Sequence, residues 1–192
     1  MQCKNEEYFE GSTMHFYNRT TSGKLLFLCH NDYIYFLEKF KINTIKYPCK
    51  VFAYCLMPTH FHFCLQQSSE QPMYRIFNDT MTSYAMHYNH KYKNRGQLME
   101  DRLQSKRIKT DEYLIQLCKY IHYNPVKAGL VHEVEDWVYS NYLEVIRKRN
   151  GDLFSTELIE MYPEEFENYS NSIKQYLEYI EERGFSELLI DD

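Results

Sequence analysis

Two histidines one residue apart, His60 and His62, lie in the otherwise apolar run Val51–Gln66 (VFAYCLMPTHFHFCLQ). Alternate residues of a β-strand face the same side, so both imidazoles project from one sheet surface. Such a pair can begin a divalent-metal site; the alternative is two half-buried histidines satisfied by hydrogen bonds. A second segment, Lys119–Val131 (KYIHYNPVKAGLV), supplies Tyr120 and Asn124. Four apart on a helix, they share a face. If that face packs over the histidine strand, two imidazoles and an amide oxygen can hold an ion that keeps open positions, with a phenol beside it. An N,N,O set of this kind suits Mn2+ or Mg2+ that also takes substrate oxygens. The chemistry it fits is attack of a tyrosine oxygen on a polarised phosphodiester to form a phosphotyrosine. A phenol of pKa near ~10 is a reluctant nucleophile but a fair leaving group, which suits cutting followed by re-joining.

Those segments need a scaffold. Met14–Asn18 reads as a first strand, and Thr20–Gly23 as a turn. Asn31 is placed to cap a helix whose Tyr33, Phe36, Leu37 and Phe40 recur at helical spacing. Lys50–Met57 and His60–Gln66 read as strands broken by Pro58-Thr59, an antiparallel hairpin. A longer helix spans roughly Gln71–Lys93, with Met73, Phe77, Thr80, Tyr84 and Tyr88 on one face. The polar stretch Gly96–Lys109 is loop or short strand. Thr110 then caps a helix that starts with Asp111 and Glu112, runs to about Tyr123 and is expected to stop near Pro125. Short helical stretches follow, including Ile173–Glu182. The order is that of an α+β fold: an antiparallel sheet of three to five strands with helices on one face.

The chain has 192 residues and 19 tyrosines. No stretch approaches the ~20 apolar residues of a membrane span, and the polar start MQCKNEEYFEGS lacks the apolar centre of a signal peptide; a cytoplasmic protein is expected. The six cysteines form no CxxC pair, which argues against a zinc knuckle. The net charge of −5 divides unevenly: residues 1–150 carry +5 and residues 151–192 carry −10. Asn150-Gly151 is therefore taken as the boundary between a catalytic domain, 1–150, and an acidic helical tail, 151–192. The tail reads as a solvated face; a tail that gates a basic surface is the alternative.

The chain resembles the HUH single-tyrosine transposases, and most closely the REP-associated tyrosine transposases, over about residues 14–145. Met57-Pro58-Thr59-His60-Phe61-His62 is similar to that family's "MPNHxH" strand, and Lys119–Val131 to its "YIHxNPVKAGLV" segment. Asn18-Arg19 with Phe27, then Tyr88-Asn89, Tyr92, Gly96 and Arg102, and finally Asp136–Tyr142 (DWVYSNY) fit flanking motifs in the family order. The resemblance implies a ferredoxin-like antiparallel sheet with helices packed on it and an HUH site on a central strand; the acidic helical extension after residue 150 matches none of the family's motifs. It implies a metal-dependent tyrosine transposase that cleaves and re-joins single-stranded DNA near hairpins through a 5′-phosphotyrosine. Carried over by position, Tyr120 is the nucleophile, and His60, His62 and Asn124 hold Mg2+ or Mn2+. The implied partner is single-stranded DNA with hairpins, bound by a monomer or homodimer. Gly96–Arg102 (GQLMEDR) departs from the family's "GHLFQGR", setting Glu100 and Asp101 where DNA contact is expected.

Several features keep two readings. Tyr84, Tyr88 and Tyr92 make a packing stripe, or a stacking platform for bases. Lys91, Lys93, Arg95, Arg102, Lys106, Arg107 and Lys109, with Arg19 and Lys127 from the motifs, are solvated charges singly and a phosphate track together. His122 is expected beside the site or at the surface, and Trp137 in the core. Two other functions compete: a catalytically idle DNA hairpin-binding protein derived from a transposase, and a hydrolase using a metal-bound water.

Overall fold

The computed structural model describes residues 8–21, 24–173 and 175–176. Four strands form one antiparallel sheet: β1 Thr13–Arg19, β2 Cys49–Leu56, β3 His60–Gln67 and β4 Gln104–Ile108, in the order β2-β3-β1-β4. Helix α1 (His30–Lys46) joins β1 to β2, and α2 (Tyr74–Tyr92) joins β3 to β4. This βαββαβ order is the ferredoxin-like arrangement. The histidine strand β3 is central.

The two sheet faces divide by alternation. Met14 and Phe16 of β1 and Phe61 and Phe63 of β3 meet Phe36 and Phe40 of α1 and Phe77 and Tyr84 of α2. These aromatic side chains are buried completely, each contributing about 1.5–3 kcal/mol. The periodic residues expected on both helices are the ones that face the sheet. The cap of α1 differs from expectation: Cys29 is the N-cap, and the carboxylate of Asp32 accepts the backbone N–H of Leu28 and Cys29 at 2.9 and 3.1 Å. Tyr84 and Tyr88 donate to the carbonyls of Leu26 and Leu25 at 2.5 and 3.0 Å, so both serve packing.

The opposite face is covered by α3 (Asp111–Lys127). Thr110 accepts from the Tyr113 N–H at its start, as expected. The helix does not stop near Pro125; it runs two residues further. Proline's fixed φ is helical, and here only the last turn loses a bond. The stop is Gly129, at φ +67°. Its N–H bonds the Val126 carbonyl, and the Leu130 N–H bonds the Pro125 carbonyl, both at 2.9 Å, a Schellman closure. Asn124 therefore stands inside the helix, one turn beyond Tyr120.

Residues 137–141 run along the free edge of β2. Trp137 donates its indole N–H to the Leu56 carbonyl, the Leu56 N–H bonds the Tyr139 carbonyl, and Asn141 bonds the Tyr54 N–H through Oδ1 and the Phe52 carbonyl through Nδ2. An exposed strand edge is thereby closed. Beyond α4 (Tyr142–Val145), α5 (Glu157–Met161) and α6 (Pro163–Glu167), residues 169–173 are helical. Leu158 and Tyr176 join the cluster under α3, and Ile159, Tyr169 and Ile173 pack with Val134, Tyr142 and Val145. The acidic segment is thus packed on the body over its described length. Residues 177–182 of the expected helix Ile173–Glu182 lie outside the described residues. Among the described residues no helix is long and apolar enough to cross a membrane.

Candidate active site

His60 and His62 project from β3 on the face covered by α3, their ring centres 5.1 Å apart and nearly perpendicular. Thr59 Oγ1 lies 3.0 Å from His60 Nδ1 at the sheet end, where His60 is only half-buried. His62 is fully buried. Burial, helped by the positive charge of Lys127, pushes its pKa down to about 3, so the imidazole is neutral, the form that binds metals. Tyr120 descends from α3 with its ring centre 5.8 Å from that of His62, at 80° between planes. One chain therefore brings together His60, His62 and Tyr120.

Asn124 is 7% exposed, and its Nδ2 is buried without a hydrogen-bond partner. A buried NH2 left without an acceptor is costly; it is a hydrogen-bond donor, and a cation would be taken by the Oδ1 of the same amide. Among the described residues no three His, Cys, Asp or Glu side chains gather to hold a metal, so an ion here would have to draw on the two imidazoles and an amide oxygen. Two imidazoles, that of His62 neutral, with the oxygen of a buried amide make a donor set that fits a divalent cation.

Spacing alone does not single out His15. It lies on β1 next to Tyr17, which is the register partner of His62. His15 Nε2 is 3.0 Å from His62 Nδ1. The pattern Met14-His15-Phe16-Tyr17, apolar and polar in alternation, was the available signal. His122, expected beside the site or at the surface, is fully buried on another side of α3. It bonds Tyr169 through Nδ1 and Asn141 through Nε2, both at 2.9 Å. Trp137, expected in the core, is half-buried at its margin, packing on Tyr33 and Tyr139.

The basic residues separate. Lys106 stands opposite His15 across β1 and β4, and its charge acts on that imidazole; Lys127 acts on His62. Lys91 is held by the buried carboxylate of Asp32 at 2.6 Å on the far side of the sheet. Arg19, register partner of His60, is paired with Glu100 at 2.7 Å. Arg107 lies over the Phe9 ring, while Lys93, Arg95, Arg102 and Lys109 are exposed. The acidic segment's carboxylates pair elsewhere: Asp152 with Lys41, Glu157 with Lys50, Glu165 with Lys119.

No family model matches this chain. It is 31% identical over 125 residues to a REP-associated tyrosine transposase of Haemophilus influenzae, spanning 58% of this chain and 69% of that relative. The chain belongs to the REP-associated tyrosine transposase family. A solved REP-associated tyrosine transposase bound to a REP hairpin shares the fold with a TM-score of 0.60 at 18% identity, covering 81% of this chain and 94% of that one. The α+β transposase fold is thus established for this family member.

Proposed function

We propose that this family member cleaves and re-joins single-stranded DNA beside a hairpin, with Tyr120 as nucleophile and a Mg2+ or Mn2+ ion on His60, His62 and Asn124. The observation that carries the reading is the apposition of Tyr120 and His62 in one chain, at 5.8 Å between ring centres. The hairpin partner is carried over from the related protein whose solved structure holds a REP hairpin.

Tyr120 Oη forms a bond to phosphorus as the bond from phosphorus to the 3′ oxygen breaks. That leaves a 3′ hydroxyl on one DNA end and a 5′-phosphotyrosine on the other. Attack by a second 3′ hydroxyl reverses the exchange and regenerates the phenol, so joining needs no outside energy. A divalent ion, when bound, supplies charge neutralisation at the scissile phosphate. His60 and His62 offer ring nitrogens to hold it. The near-complete burial of Tyr120 fixes the phenol's direction, which is where positioning lowers a barrier.

The test is covalent trapping. Purified protein, Mn2+ or Mg2+ and labelled single-stranded hairpins from the repeats flanking its own gene are run on a denaturing gel beside Tyr120→Phe and His60→Ala. A metal-dependent shifted band lost in both variants is expected. Intact hairpin binding with no band in the wild type would favour the catalytically idle binder instead.

A further inference from the structure

β1 sets a third imidazole against the histidine pair. His15 and His62 stack at 5.2 Å between ring centres with 20° between planes, and His15 Nε2 faces His62 Nδ1 at 3.0 Å. Both rings are 0% exposed. A contact between two neutral imidazoles needs one hydrogen and one lone pair, so the two tautomers are locked together. With the hydrogen on His62 Nδ1, His15 Nε2 accepts and His62 Nε2 keeps its lone pair. With the hydrogen on His15 Nε2, His62 carries its own hydrogen on Nε2 and cannot ligate through that atom.

His15 Nδ1 is buried without a hydrogen-bond partner. A packing role does not account for this: an apolar side chain would fill the space without stranding a polar atom. Its register partner on β3, Cys64, is buried and weakly polar. The hydrogen bond to His62 gives a histidine a use here.

We propose that His15 is a positioning residue for His62: it accepts the His62 Nδ1–H, holds the ring in its plane, and so presents Nε2 as the metal-binding lone pair. Ligating histidines are commonly held this way through their other nitrogen; here the acceptor is a second imidazole. The inference rests on the reading of His60 and His62 as metal ligands.

The test uses the full chain, free of DNA, and Mn2+ binding by calorimetry. His15→Phe keeps the volume and removes the acceptor; His15→Gln places an amide oxygen where Nε2 lies. Mn2+ affinity falls 10–100-fold in His15→Phe and stays near wild type in His15→Gln. Nitrogen-15 spectra of the wild type with Mg2+ place the hydrogen of His62 on Nδ1. Equal affinity in wild type and His15→Phe overturns the proposal, as does a hydrogen on Nε2 of metal-loaded His62, a result that stands even if His15→Phe fails to fold. Equal losses in the Phe and Gln variants also overturn it, by assigning His15 a packing role. A wild type that binds no Mn2+, or a His62→Ala variant that binds it as well as wild type, sinks the metal site itself and the proposal with it.

Discussion

His62 and Tyr120 meet edge to face, 80° between ring planes, although 58 residues of chain separate them. The contact makes His62 both a candidate ligand and a core residue, whereas His60 at the sheet end is only half-buried. The two alanine variants should therefore differ in stability. His62→Ala leaves a cavity and takes the partner from buried His15, costing about 2–4 kcal/mol. His60→Ala costs under about 1 kcal/mol. Urea unfolding checks this, and comparable losses would contradict the burial argument. His60→Ala is accordingly the variant to use when activity is the readout.

Stability should fall with acid because of His122. Its burial between Tyr169 and Asn141 lowers its pKa to about 4, against about 6.5 in an unfolded chain. The folded state thus prefers the neutral ring. The stabilisation is complete above about pH 6.5, declines as pH falls, and is gone below about pH 4, a loss of roughly 3 kcal/mol. The lowered values of His62 and His15 act in the same direction. Unfolding free energies measured from pH 7 to 4.5 report the slope. A His122 imidazole that titrates near its unfolded value by NMR would remove the cause.

Asn141 ties His122 to the edge of β2, accepting from the Tyr54 N–H at 2.6 Å and donating to the Phe52 carbonyl at 3.1 Å. Asn141→Leu strands a backbone N–H, a carbonyl and the His122 Nε2–H together. A loss of about 3–5 kcal/mol is expected, with faster amide exchange at Tyr54. A variant within about 0.5 kcal/mol of wild type would show that water replaces these bonds.

Much of this was legible in the sequence where one face of one element carried it. The 3.6-residue stripe from Tyr33 to Phe40 and the period-2 run through His60 and His62 each declare a direction. So do Tyr120 and Asn124. What escaped depends on partners distant in the chain. His15 gains meaning only when β1 lies beside β3. Pro125 reads as a stop because the rule is local, while the true stop, Gly129, is set by a six-residue closure. β4 is a polar edge strand with no strong alternation. The segment after residue 150 looks solvated because its acids outnumber Leu158, Tyr169, Ile173 and Tyr176, the residues that anchor it.

Gly129 offers a narrow test of the helix end. A Cβ there meets nothing within 4 Å, so only the φ of +67° opposes a side chain. Gly129→Ala should cost about 1 kcal/mol and loosen the last turn of α3, which carries Asn124 and Lys127. Amide exchange at Leu130, bonded to the Pro125 carbonyl, reports the loosening. Unchanged exchange would mean that the turn is held by packing and not by the Schellman closure.

The acidic segment should matter through its apolar residues more than its charge. Leu158, Tyr169 and Ile173 are each 1% exposed, and Tyr169 also bonds His122. Ending the chain at Asn150 uncovers Leu117, Ile121, Val134 and Tyr142, which share clusters with this segment. Each lost large side chain is worth about 1.5–3 kcal/mol, against a total stability of about 5–15 kcal/mol for a domain. The truncated chain should aggregate or melt far below the full chain in a thermal scan. By contrast, Glu157→Gln removes a pair whose side chains are 34% and 41% exposed, and should cost under about 1 kcal/mol. A truncated chain that melts with the full one would return the segment to the status of a solvated tail, and only then would its deletion be a clean probe of charge in DNA binding.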